Sequence, residues 1–240
     1  EIGWCDWSSD VCSSDLRLAS AEAAAPFDLA VDPPVRITLF RCRETAWMLL
    51  VTLHHIAADA WSVALFLEEL TALYAAFHAG RPSPLPELAI QYADFAVWQR
   101  HWFSGERKQQ QLDYWCTRLA GAPQCLRLPT DRPRPAQQSY RGDAINFRIP
   151  PELAVAVDEF SRRANATRFM TLLAAWGCLL GRASGQEDIV VGSPIANRRI
   201  SALEPLIGFF VNTLALRIDL SEQPAFSQIL ARIRQTCLDA

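Results

Sequence analysis

The ten residues Leu53–Ser62, "LHHIAADAWS", set two of the chain's four histidines side by side, with an aspartate four residues beyond the second. They close a nearly continuous apolar run, "AWMLLVTL" (46–53), and precede a helical pattern. The run reads as a strand central in its sheet, joined through the polar turn "RCRET" to an alternating strand over Val35–Arg41. Ser62 is the expected N-cap of a helix through Ala79. Phe66, Leu70, Leu73, Tyr74 and Phe77 form its apolar stripe, and Gly80 and Pro82 end it. His54, His55 and Asp59 therefore fall on a strand-to-helix loop, where a rigid scaffold commonly presents reactive side chains.

Three chemistries compete for the histidine pair. A shared metal ion is disfavoured, because adjacent residues on extended backbone point to opposite sides and zinc-binding helices space their histidines four apart. Two histidines satisfied by backbone carbonyls would be purely structural. Alternatively one imidazole faces a cleft as a base for an amine or hydroxyl, while its neighbour faces protein and holds the loop. Asp59 could orient the ring, as in a triad, or pair elsewhere and fix the loop.

Outward from this stretch, "IQYADFAVWQRHWF" and "ERKQQQLDYWCTRLAG" read as two amphipathic helices, and "LPTDRPRPAQQSYRGD" as a crossover without period. A strand near 144–149, a helix opened by Pro151 and a buried helix at 168–182 should follow. Strands near 188–192 and 209–219 and a helix from Pro224 complete an interleaved α/β chain. The expected organisation is a leader at 1–16, a first lobe at 17–127, a linker at 128–142 and the start of a second lobe at 143–240. The leader, "EIGWCDWSSDVCSSDL", has neither helical nor strand period and resembles translated sequencing adapter.

Composition narrows the function classes. In 240 residues the net charge is −3, which supplies no electrostatic reason to bind nucleic acid or an anionic membrane. No run of eighteen apolar residues suggests a membrane span. The seven cysteines are odd in number and scattered without a C-x-x-C pair, which suits a reducing cytoplasm better than a zinc knuckle or disulfide framework.

"HHIAADAWS" resembles the HHxxxDG core of condensation domains from nonribosomal peptide synthetases. Four further stretches agree in order: "YADFAVW" (92–98), "LPTDRPRP" (128–135), "VVGSPIANR" (190–198) and "IGFFVNTLALR" (207–217). The resemblance implies a two-lobed, chloramphenicol-acetyltransferase-like fold, here truncated at both ends. It implies amide bond formation between a carrier-bound acyl or peptidyl thioester and a carrier-bound aminoacyl amine. The partners would be upstream and downstream peptidyl carrier proteins and an adjacent adenylation domain. No cofactor or metal is expected in the domain itself, since phosphopantetheine rides on the carriers.

Carried onto this chain, the resemblance makes His55 the catalytic histidine and His54 its structural neighbour. Asp59 is expected to meet Arg198 in a bidentate ion pair, and Asn212 of "FVNT" to line the channel. Ala60 stands where the family has glycine, which raises two possibilities: a positive φ that alanine would strain, or a channel wall that a methyl narrows. Tyr92, Asp94 and Trp98 are read as structural. The alternatives within the fold are an epimerisation domain, against which "IGFFVNT" argues, and a degenerate module that only docks carriers. A fragment of this kind is expected to be inactive alone.

Overall fold

The computed structural model describes residues 13–139 and 142–240. The elements are α1 (Ser13–Ala24), β1 (Val35–Arg41), β2 (Trp47–Leu53), α2 (Ala60–His78), α3 (Tyr92–Trp102), α4 (Gly105–Leu119), α5 (Pro151–Arg163), α6 (Arg168–Ser184), β3 (Asp188–Ile195), β4 (Asn212–Asp219) and α7 (Phe226–Asp239), with a 3₁₀ turn at Ser201–Leu203. They form two compact units. One comprises the residues up to Ser104 together with Ile195–Asn212. The other comprises Gly105–Pro194 together with Thr213–Ala240.

In the first unit β1 and β2 pair antiparallel from Val35↔Leu53 to Arg41↔Trp47, as the alternating pattern and polar turn require. Among the described residues the sheet they form has two strands, so β2 is not central there as expected. One face carries Ile37, Leu39, Trp47 and Leu49, all exposed. The continuous apolar run reflects two apolar faces, and among the described residues one of them is half-buried and the other exposed. Arg36 ties β1 to the end of α1: its guanidinium donates to the carbonyls of Glu22 and Ala25 and pairs with the Glu22 carboxylate at 3.1 Å. Helix α1 begins at Ser13, inside the expected leader of 1–16. The helical register thus crosses that boundary, and residues 1–12 of the leader lie outside the described residues.

Helix α2 is capped by Asp59, whose carboxylate accepts from the Ser62 N–H; Ser62 is the third helical residue and not the cap. Of the expected stripe, Phe66, Leu70 and Leu73 are half-buried, while Tyr74 and Phe77 stay exposed. The fully buried positions, Ser62 and Ala76, are small, which lets the helix approach its neighbours closely. By length and composition α2 could cross a membrane, yet Glu68 and Glu69 lie mid-helix, where a carboxylate in hydrocarbon would be costly. Helix α3 opens with a capping box between Gln91 and Asp94. Its Phe95 packs with Leu203, Leu206 and Phe210 in a small core.

The second unit is built on α6, β3, β4 and α7, with Leu173, Ala174, Ile189, Leu216, Ile218 and Ile233 at its centre. Gly177 and Gly181 let α6 lie directly on β4. A Cβ at Gly181 would stand 2.4 Å from Leu220 Cδ1, and one at Gly177 2.9 Å from Ile218 Cδ1. Arg217 of β4 holds Asp188 of β3 in a two-pronged pair (2.9 and 2.7 Å) and donates to the carbonyls of Arg118 and Ala120.

The compact units do not follow the expected division at 128–142. Leu126 and Leu128 pack against the second core. The Gln186 side chain also pins this stretch, donating to Cys125 O and accepting from Arg127 N–H. The stretch is irregular but anchored at its start. The strand expected near 144–149 does not form: Ile145 and Phe147 alternate as in a strand but are 91% and 82% exposed, with no partner among the described residues.

Candidate active site

The chain leaves β2 at Leu53, turns through residues 54–58 and enters α2 at Asp59. The two histidines diverge. His54 is half-buried; its N–H donates to Pro34 O, its Nδ1 accepts from the Ile56 N–H, and its ring meets Phe27 edge-on at 5.6 Å. His55 is more exposed. Its Nδ1 lies 2.7 Å from Ala58 O, and its ring meets that of Phe209 at 5.2 Å and 89°. A carbonyl can only accept, so Nδ1 is the donor in this contact, and in the neutral ring Nε2 keeps its lone pair. Among the described residues nothing bonds Nε2.

Asp59 does not touch either imidazole. Its carboxylate is 4% exposed and accepts four hydrogen bonds. Oδ1 takes the Ser62 N–H (2.8 Å), the Ser62 hydroxyl (2.8 Å) and Arg198 Nη2 (3.3 Å), and Oδ2 takes the Phe210 N–H (3.0 Å). Burial by itself would raise this carboxyl. The bonds from Ser62 and Phe210 and the Arg198 charge outweigh it and hold the group below the ordinary 3.8.

Arg198 is 1% exposed at its side chain. It follows Asn197, whose left-handed backbone (φ 53°) asparagine tolerates better than most residues. The guanidinium donates to Leu203 O, Leu206 O and Ser62 Oγ and lies over the Phe210 ring, 4.0 Å from its centre. The expected two-pronged contact is therefore replaced by one long bond. Nη1 is committed to the two carbonyls, Nε has no hydrogen-bond partner among the described residues, and Nη2 is shared with Ser62 at the shorter 2.8 Å.

Ser62 is the residue whose role the sequence reading missed. Its buried hydroxyl accepts from Arg198 Nη2 and from the Gly208 N–H (3.0 Å). Its single proton can serve Asp59 Oδ1 or Gly208 O (2.7 Å), one at a time. Gly208 is required by close approach, since a Cβ there would stand 2.1 Å from the Tyr92 ring. Tyr92 in turn donates its hydroxyl to Phe209 O at 2.8 Å, and burial followed by the Asp59 charge raises its pKa and keeps that proton in place. The motif carrying Tyr92 reads as structural, but nothing in it names the segment that its hydroxyl holds.

Ala60 is the first residue of α2 and has no positive φ, so the strain alternative is eliminated and only a steric effect of its methyl remains. Asn212 is exposed at the start of β4.

Residues 9–240 match the Condensation domain family. The chain belongs to that family. The condensation domain is 51% identical over 224 residues to a linear gramicidin synthase polypeptide of Brevibacillus parabrevis, covering 93% of this chain and 4% of that protein. It is 49% identical to malpinin synthetase of Mortierella alpina, with 91% and 3% covered. Among solved structures it resembles the X-domain from teicoplanin biosynthesis (TM-score 0.86, 35% identity, 95% of this chain and 52% of that one). It also resembles the first condensation domain of the CDA synthetase (TM-score 0.73, 21% identity, 97% and 51%), a likeness of fold alone. The chloramphenicol-acetyltransferase-like fold expected from the motifs is thus the fold of this condensation domain. The family match begins at residue 9, inside the expected leader. The chain spans about half the length of these solved relatives and a few per cent of the synthetases.

Proposed function

We propose that this condensation domain forms amide bonds within a cytoplasmic nonribosomal peptide synthetase. The amine of a carrier-bound aminoacyl thioester attacks the thioester carbonyl of an upstream acyl or peptidyl group. The C–N bond forms, the C–S bond breaks, and the amine proton passes through His55 to the departing phosphopantetheine thiolate. Carrier proteins on either side and a neighbouring adenylation domain supply the substrates. The observation that carries this reading is the polarity of His55: Nδ1 is committed to Ala58 O, which leaves Nε2 as an acceptor for an ammonium or amine proton.

Asp59 and Arg198 support the loop and do not form a triad with His55, because all the Asp59 bonds are spent on Ser62, Phe210 and Arg198. Positioning of two tethered substrates would supply much of the acceleration. Ala60 and Asn212 are assigned to the channel wall, and His54 to support of the loop. In the synthetase, His55→Ala should lower amide formation by about 10²-fold or more with carrier binding retained. An unchanged rate on carrier-loaded substrates would remove His55 from the chemistry.

A second reading, a module that serves only to bind a partner, is favoured by one observation: the X-domain it resembles has been solved in complex with OxyB (TM-score 0.85, 35% identity). The same His55 variant separates the two, since a docking module would bind its partner equally well and show no turnover in either form.

A further inference from the structure

We propose that Phe209 is a positioning residue that fixes the orientation and tautomer of His55, with the Tyr92 hydroxyl as its tether. The catalytic consequence rests on the function proposed above; the orientation itself does not. Three consecutive residues, Gly208 to Phe210, are each held by a different polar group. Gly208 is held at both N–H and C=O by Ser62 Oγ, Phe209 at its C=O by Tyr92 Oη, and Phe210 at its N–H by Asp59 Oδ2. The Asp59 N–H adds a longer bond to Gly208 O, 3.3 Å. The Phe210 ring is locked beneath Arg198 and beside Phe95 and Tyr92.

With the backbone fastened on both sides, the intervening Phe209 side chain is directed at His55, where the rings meet almost perpendicularly at 5.2 Å. Among the described residues the imidazole has one other fixed partner, Ala58 O. A single hydrogen bond leaves the ring free to swing about that contact or to flip and exchange tautomers. A second, non-polar wall removes those alternatives without competing for Nε2. A polar wall would bond Nε2 and remove the lone pair that the reaction uses. The Phe209 side chain touches His55 and is not asked to touch substrate, so its part is positioning and not chemistry.

The test uses Phe209→Leu and Tyr92→Phe, which preserve the Phe209 C=O, the Phe210 N–H and the Asp59–Ser62–Arg198 bonds. Imidazole ¹⁵N shifts of the chain labelled at histidine, assigned with His55→Gln, report the tautomer. Wild type should show the Nδ1–H form of His55 and cross-relaxation between the two rings. Phe209→Leu should give mixed tautomers and, in the synthetase, lower kcat about tenfold with KM for the carrier-borne amine within about twofold. Tyr92→Phe should shift both readouts in the same direction and by less. A tautomer ratio unchanged in Phe209→Leu overturns the inference. A changed ratio with an unchanged rate upholds the positioning and instead removes His55 from catalysis.

Discussion

Replacing Asp59 by asparagine tests the centre of the site, because the two side chains have nearly the same shape. Asparagine keeps one oxygen, which can still accept from the Ser62 N–H and serve as the α2 cap. The second oxygen, 3.0 Å from the Phe210 N–H, becomes an NH₂ that opposes a donor with a donor. The Arg198 guanidinium, 1% exposed, loses its only carboxylate partner among the described residues. Removing one member of a fully buried pair costs about 3–5 kcal/mol. Arg198 retains two carbonyls and Ser62 Oγ, and its bond to Asp59 is long, so the lower end, about 3 kcal/mol, is expected.

Equilibrium urea unfolding of the chain measures this difference, and a double-mutant cycle with Arg198→Met isolates the pair. The double variant should be destabilised by less than the sum of the singles, with a coupling of about 1–3 kcal/mol. A loss below about 1 kcal/mol for Asp59→Asn, or strict additivity in the cycle, would refute the view that the buried charge is held by this carboxylate.

Acid should act on the same group. The folded Asp59 carboxyl lies below its ordinary 3.8, so the unfolded chain binds its proton first as pH falls. The stability it contributes is present above that value and is lost as pH drops through it toward the folded one; urea midpoints followed downward from pH 6 should fall less steeply in Asp59→Asn than in wild type. Gly208→Ala should cost about 1–3 kcal/mol through the clash with the Tyr92 ring. Combining it with Tyr92→Ala should recover part of that loss in the same unfolding assay, and no recovery would show that the ring is not what the methyl meets.

The sequence alone determined the family, the helices and strands that bear the motifs, and the placement of His54, His55 and Asp59 on a strand-to-helix loop. These are local properties: period-two alternation across 35–41, helical spacing in α3 and α4, and motif residues a few positions apart. It also proposed the pairing of Asp59 with Arg198, though only through resemblance, since no local pattern links residues so far apart in the chain. Tertiary structure decided how that pairing is made. Ser62 reads from sequence as a helix cap, and becomes a buried hub only because the Gly208 peptide, more than a hundred residues away, is folded against it. No sequence pattern singles out Phe209, whose ring reaches His55 because bonds from three residues, Ser62, Tyr92 and Asp59, hold the backbone around it. Isolated alternation misled at 144–149 for the same reason: a strand is made by its partner, and Ile145 and Phe147 have none among the described residues.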